Sequence, residues 1–301
     1  MTRSSLRCCT VLAAVAVVAT TASGCASAAK HTAASNPSMH VVGQLHDELP
    51  ASVRKSGVLR VVTDASYAPA SSFAADGRTI IGFEPDLGAA LGQVLGVKVV
   101  FRNADFGKLP ALVAAGKADL IMSAMTDTAE REKLVDFVDY FQAGTALVVQ
   151  RGNPHTISDL ASLCGRKVAV ESGTVQVDLL RREQKQCGGK RIIVLKAPTN
   201  DDALLLLRTG RAAALPMDYP PAEDLTTAES TGANYQLAST SQYEPGPYGI
   251  GVAKNRPDLR DAVQQALARI IKAGTYQAVL KKWSVTSGAV SQALINAAGV
   301  K

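Results

Sequence analysis

Aromatic residues make up only 5% of the 301 positions, and Trp283 is the single tryptophan. Basic residues are scattered rather than bunched, so the stacking platform and charged groove that grip nucleic acid are both missing. Histidine is scarce. Three of the four, His31, His40 and His46, fall in one polar stretch without the cysteine or carboxylate spacing a bound metal needs. Long apolar runs are lacking too: Val11 to Ala19 is too short to span a bilayer, and nothing later is longer. Of the five cysteines, Cys8, Cys9 and Cys25 lie near the start, leaving Cys164 and Cys187 for the rest of the chain.

What is present is a chain 47% hydrophobic and long enough to bury a core in two lobes. Arg3 and Arg7, the apolar segment and the small residues Ala22, Ser23 and Gly24 predict a signal peptide over residues 1–24. The ending Ala-Ser-Gly-Cys resembles the bacterial lipobox, with Ala22 where leucine is usual, and implies lipidation at Cys25. The alternative is an ordinary secreted protein cut nearby. Either way the mature chain is expected outside the cell, on the extracytoplasmic face of the membrane if lipidated. Without Arg3 and Arg7 the net charge of +6 falls to +4, a mild excess. Residues 25–50 are small, polar and aperiodic, and predict a flexible tether.

From Val58 strand and helix patterns alternate: strands at Val58–Val62 and Lys98–Phe101, helices at Glu84–Leu95 and Gly107–Ala115, then a strand at Ala118–Met122. Thr128 predicts the N-cap of a helix through Leu134. A strand at Thr145–Gln150 opens a second series: strand Val168–Val170, helix Val175–Gln186, strand Ile192–Leu195, helix Asp201–Arg208, strand Ala212–Pro216 and a helix from Pro220. The chain returns through Tyr248–Ala253 and ends in helices at Asp258–Lys272 and Thr275–Trp283, followed by a small-residue tail from Gly288. Trp283 is expected in the core. This is an α/β chain of two mainly parallel layers. Cys164 precedes a strand and Cys187 ends the returning helix, which brings both sulfurs to one edge. In an oxidising compartment they are expected to form a disulfide; two buried free thiols are the alternative.

In open α/β sheets ligands bind beyond the carboxyl ends of strands. Four polar loops occupy such positions: Thr63 to Tyr67, Ser123 to Thr126, Glu171 to Thr174, and Asp218 with Tyr219. Taken singly, each also reads as a turn, a cap or core. Arg131 is a cation in a first helical turn, where the dipole favours an anion. Solvation beside Glu130 and Glu132 would explain it, and so would an anionic ligand. Together the loops offer carboxylates, a guanidinium, hydroxyls and an aromatic face, a set suited to an amphoteric small molecule.

The run Ile81-Gly82-Phe83-Glu84-Pro85-Asp86-Leu87 resembles the polar amino-acid-binding proteins of ATP-binding cassette importers. So do Gly116 to Ser123, Thr128-x-Glu130-Arg131, Asp136-Phe137 and Val168 to Thr174, in that order. The resemblance spans Val58 to Trp283 and implies a type II periplasmic-binding-protein fold, two Rossmann-like lobes joined by two hinge strands. The lobes are expected at residues 51–143 plus 241–301 and at 144–240, with hinges near Gln142–Thr145 and Ser239–Tyr243. By position, Arg131 resembles the residue that clamps a ligand α-carboxylate, helped by Ser123, Thr126 and the Thr174 N–H. Asp218 resembles the acceptor of the α-ammonium, Tyr67 the stacking aromatic and Asp64 the acid at the side-chain end.

Two positions depart from the family pattern. Pro69-Ala70 stands where Pro-Phe is usual, so a second aromatic wall is absent or supplied by Phe73. Glu171 adds negative charge and, with Asp64, points to a cationic or amide side chain. The implied protein is a monomeric receptor, with no cofactor, that hands its amino acid to a membrane permease. A dehydratase-like enzyme on the same scaffold and a ligand sensor for a membrane signalling protein are the alternatives.

Overall fold

The computed structural model describes residues 41–298. The expected signal peptide, Cys25 and most of the expected tether lie outside the described residues. The end of that tether is folded. Gly43–Glu48 (α1) is helical, Leu45 and Leu49 are buried in the main core, and His46 Nδ1 donates to the Leu95 carbonyl at 2.8 Å. Two leucines four apart mark one face of a helix, and burying them outweighs the polar composition around them.

The first lobe is built from β1 (Val58–Thr63), α2 (Phe83–Leu95), β2 (Lys98–Asn103), α3 (Leu109–Ala114) and β3 (Leu120–Ile121). Next comes β4 (Val135–Gln150), 16 residues long, where only its last six read as strand from sequence. Asp136 and Asp139 interrupt the apolar pattern there; the fold pairs the first and gives the second one bond, leaving its Oδ1 unpartnered. Asp136 pairs with Lys254 at 2.8 Å and Arg260 at 3.1 Å, and Asp139 accepts the Ala297 N–H at 3.2 Å. The second lobe follows as β5 (Lys167–Glu171), α4 (Val175–Glu183), β6 (Ile193–Ala197), α5 (Asn200–Arg208), β7 (Leu215–Asp218), α6 (Tyr219–Thr227) and β8 (Tyr235–Leu237). The chain returns along β9 (Tyr243–Ala253) to α7 (Pro257–Lys272), α8 (Thr275–Lys282) and β10 (Leu294–Ile295).

The long sheet runs β7-β4-β9-β3-β1-β2, with β1 parallel to β2 and β3. The antiparallel pair β4 and β9 runs from Val135 opposite Ala253 to Thr145 opposite Tyr243, with register shifts at Tyr248/Gly249 and Tyr243/Gly246, and carries the chain from one lobe to the other and back. Alternate strand residues feed opposite faces, as the two-residue repeat requires. Val61 and Leu120 join the cluster under α2 and α7, whereas Val62 and Ile121 join the one under α3. In the second lobe Ala146, Val148 and Met217 face one core while Leu147, Val149 and Val168 face another. Both lobes are therefore sheets covered on two sides, as an α/β layer demands.

Helix α2 starts at a point only glycine can occupy. Gly82 has φ +145°, and a Cβ there would lie 2.0 Å from the Ala70 carbonyl oxygen. Trp283 is partly buried against the first-lobe core and donates to Asp86 at 2.7 Å. The expected helix from Thr128 is a single 3-10 turn, Arg131–Lys133. Thr128 Oγ1 does accept the Arg131 N–H at 3.2 Å, but Leu134 is 59% exposed, so the segment has no apolar face to extend it. The tail is docked as well, up to the last described residue: β10 pairs with β4, and Asn296 Oδ1 accepts the Phe137 N–H at 2.7 Å. The disulfide Cys164–Cys187 forms, tying the residues before β5 to the end of the α4 region with Cα atoms 5.3 Å apart. Among the described residues no helix is long and apolar enough to cross a membrane.

Candidate functional site

The carboxyl ends of β1, β3, β5 and β7 meet where the lobes face each other. The eight residues expected there, Asp64, Tyr67, Ser123, Thr126, Arg131, Glu171, Thr174 and Asp218, all line one cleft, joined by Phe106, Ala124, Val175 and Gln176. Three polar contacts cross it. Arg131 Nη2 donates to the Gly173 carbonyl at 2.9 Å, Asn200 Nδ2 to the Ser66 carbonyl at 3.1 Å, and the Asp218 N–H to the Tyr67 hydroxyl at 2.8 Å.

One wall is cationic. Arg131 Nη1 also donates to the Thr126 carbonyl at 2.6 Å, and the guanidinium lies 5.3 Å above the Phe106 ring. Among the described residues no carboxylate comes within salt-bridge distance of it. Burial pushes its pKa down to about 10, against the pull of Asp218, Asp178 and Asp127, so it keeps its charge while lacking a close counter-ion. Opposite stands the start of α4. Thr174 is its N-cap residue and spends its hydroxyl on the Glu171 carbonyl at 2.8 Å, leaving without a side-chain cap the first turn of a helix whose Val175 and Gln176 line the cleft.

The other wall is acidic. Asp64, Glu171 and Asp218 are 5%, 7% and 6% exposed. Asp64 Oδ1 accepts the Ser66 N–H at 2.9 Å and the Ser66 hydroxyl at 2.6 Å, while Ser123 Oγ accepts the Asp64 N–H at 2.9 Å. Asp218 Oδ1 accepts from Gln176 at 2.7 Å, and Gln176 also donates to Thr145 at 3.1 Å. Burial pushes Asp218 up to about 6. Glu171 is pushed up to about 9, first by burial and then by Asp64, and its Oε1 has no hydrogen-bond partner. Across one narrow cleft, a guanidinium with a helix N-terminus faces three carboxyl groups.

Residues 59–286 match the model of the bacterial extracellular solute-binding proteins, family 3. The chain belongs to that family. The arginine-binding protein ArgT of Corynebacterium glutamicum is 31% identical, over 85% of this chain and 83% of that protein. The L-cystine-binding protein TcyJ of Escherichia coli K12 is 30% identical, over 77% of this chain and 84% of its own length. Among solved structures, an ancestral arginine-binding protein bound to arginine is similar with a TM-score of 0.70 at 34% identity, covering 75% of this chain and 98% of its own. An ancestral amino acid-binding protein, described as a precursor of cyclohexadienyl dehydratase, gives 0.69 at 31% identity, with 77% and 97% covered.

Three features of this solute-binding protein escaped the sequence reading. Phe106 supplies the aromatic surface in the cleft, whereas Phe73, the expected substitute, is 43% exposed and does not line it. Phe106 follows the carboxyl end of β2, so the strand-end rule reaches it once that loop is counted. Gln176 reads from sequence as an ordinary helical residue, yet it braces Asp218. Glu84 is fully buried beneath the Ser123–Thr126 loop. It accepts from Ser71 Oγ at 2.6 Å, from the Tyr140 hydroxyl and from the N–H of Ala124, a residue held at φ +44°. That loop is fixed from below by a carboxyl group that never reaches the ligand space.

Proposed function

We propose that this protein is an extracytoplasmic receptor that captures one polar α-amino acid between its lobes and delivers it to the permease of an ATP-binding cassette importer. The observation that carries this reading is Arg131, half-buried without a carboxylate partner and lining the same cleft as Asp218. A ligand carboxylate completes that cation through two parallel N–H···O bonds, with the α4 N-terminus beside it. Its ammonium group meets Asp218, and its side chain runs past Tyr67 toward Asp64 and Glu171, which favours a cationic or amide end. Ligand bridging both lobes stabilises the closed arrangement by differential affinity, with bending where β4 and β9 cross near Gln142–Thr145 and Ser239–Tyr243. Removal of residues 1–24 and lipidation of Cys25 would hold the monomeric receptor at the membrane surface.

Calorimetry of the chain against a panel of amino acids tests this. Saturable binding of at least one member is expected, and no binding by any of them at millimolar concentration overturns it. One observation favours a second reading, an enzyme of the dehydratase kind: Glu171 holds its proton at neutral pH inside the cleft, as a general acid would. Product formed from a prephenate-like substrate would establish that activity, and its absence leaves the receptor.

A further inference from the structure

Glu171 is oversupplied with negative neighbours. The groups facing it are Asp64 from the loop after β1, Asp218 from the end of β7 and Asp201 from the first turn of α5, with the Tyr67 phenol beside them. Among the described residues none of these acids takes part in a salt bridge. The nearest cation in the cleft is Arg131, and its donated bonds go to the Thr126 and Gly173 carbonyls. Asp64 and Asp218 are each held by donors of the protein itself. Glu171 is not: its Oε1 is buried and unpartnered in a lining that has no lysine. Two carboxyl groups facing each other out of water cannot both ionise unless a cation sits between them. The site is therefore built for one of two occupants, a proton or a positively charged group.

Resting on the reading that the cleft holds an amino acid, we propose that the protein selects a cationic side chain by exchanging it for a proton. The ligand's guanidinium or ammonium group enters between Glu171 and Asp64, and Glu171 releases its proton to solvent. The exchange is one for one, because among the lining residues only Glu171 has a fully buried oxygen without a partner, whereas Asp64 and Asp218 each accept bonds from the protein. Burial and Asp64 push Glu171 up to about 9, so the proton is present at neutral pH and must leave when the cation arrives. A neutral amide has no charge to offer and leaves the proton in place. Arginine and lysine side chains stay charged throughout the window that matters, so the linked proton is the protein's own.

Linkage fixes the sign: a proton lost on binding makes affinity rise with pH, by up to about tenfold per unit below the pKa of Glu171. Titration calorimetry of the full chain in phosphate and in Tris, buffers of different ionisation enthalpy, counts the protons directly. With L-arginine or L-lysine near one proton should be released at pH 7, and Kd should fall about tenfold between pH 6 and pH 7. L-Glutamine should release none. Glu171→Gln should bind the cationic amino acid more weakly, without proton release and without the pH slope, and should gain on glutamine relative to it. Removing a buried acid should leave the melting temperature of that variant unchanged or raised, which separates the effect from misfolding. Cationic binding without proton release, equal release from Glu171→Gln, or binding of glutamine alone would each overturn the exchange while leaving the receptor intact. A chain that binds no amino acid overturns both.

Discussion

Arg131 is a half-buried cation whose hydrogen bonds to carbonyl oxygens do not neutralise it. Replacing it by alanine removes two charge-assisted bonds to a ligand carboxylate, each worth about 1.5–3 kcal/mol. Binding of any amino acid should weaken by at least about a hundredfold, and calorimetry reads this directly. Arg131→Lys should recover little, since a point charge cannot supply the planar fork. Glu84 predicts the opposite pattern. Glu84→Ala strands the Ala124 N–H and the Tyr140 hydroxyl, and should lower unfolding free energy by about 3 kcal/mol in urea titration. That Asp64 and Asp218 line the cleft was legible in the sequence because the sites of α/β folds gather at strand ends, and Arg131 stood out as a cation in a first helical turn. Glu84 was not legible as a support, because nothing in a sequence announces that an acid is fully buried.

At the scale of elements, the loops before α3 and α4 touch where the lobes meet. Gly173 has φ +84°, and a Cβ on it would lie 3.0 Å from the Gly107 Cα. Gly173→Ala should therefore both strain its own turn and hold the lobes apart, with weaker ligand binding at nearly unchanged stability of each lobe; small-angle scattering with and without ligand checks the closure. The Cys164–Cys187 bond lies away from the cleft lining, 23 residues apart in sequence. Its double serine variant should lose about 3 kcal/mol of stability by loop entropy while keeping ligand affinity. The strand and helix alternation was readable because apolar periodicity survives in short windows. What was lost, the first ten residues of β4, the brevity of the turn at Arg131 and the docked tail, depends on partners distant in sequence. Asp136 fits a strand only because Lys254 and Arg260 come to it.

Over the whole molecule, buried acids set the response to pH. Asp127 is pushed up to about 8 by burial, Asp139 and Glu132, and Asp139 to about 6 mainly by burial. Asp218 and Glu171 are raised in the same sense. Groups raised on folding contribute stability fully present below about pH 4, which is lost as pH climbs through 6 to 9. Asp119 and Asp136 act the other way: despite burial, their bonds from Arg60 and from Lys254 hold them low, so their contribution is lost in acid. The melting temperature of the protein without ligand should therefore peak near pH 4 and decline toward pH 9. Asp127→Asn should flatten the alkaline side of that curve.

The position of β9 between β3 and β4 has a consequence for how the protein is made. When the first 150 residues have left the ribosome, the first lobe has most of its helices and strands but a gap in the middle of its sheet. The strand that fills the gap comes only after residues 151–242 have followed. The second lobe is an almost unbroken run of chain and can assemble as soon as it emerges, whereas the first must wait for the second. The lobe begun first is therefore finished last, and its open sheet edge is what any chaperone or export machinery will meet on the nascent chain.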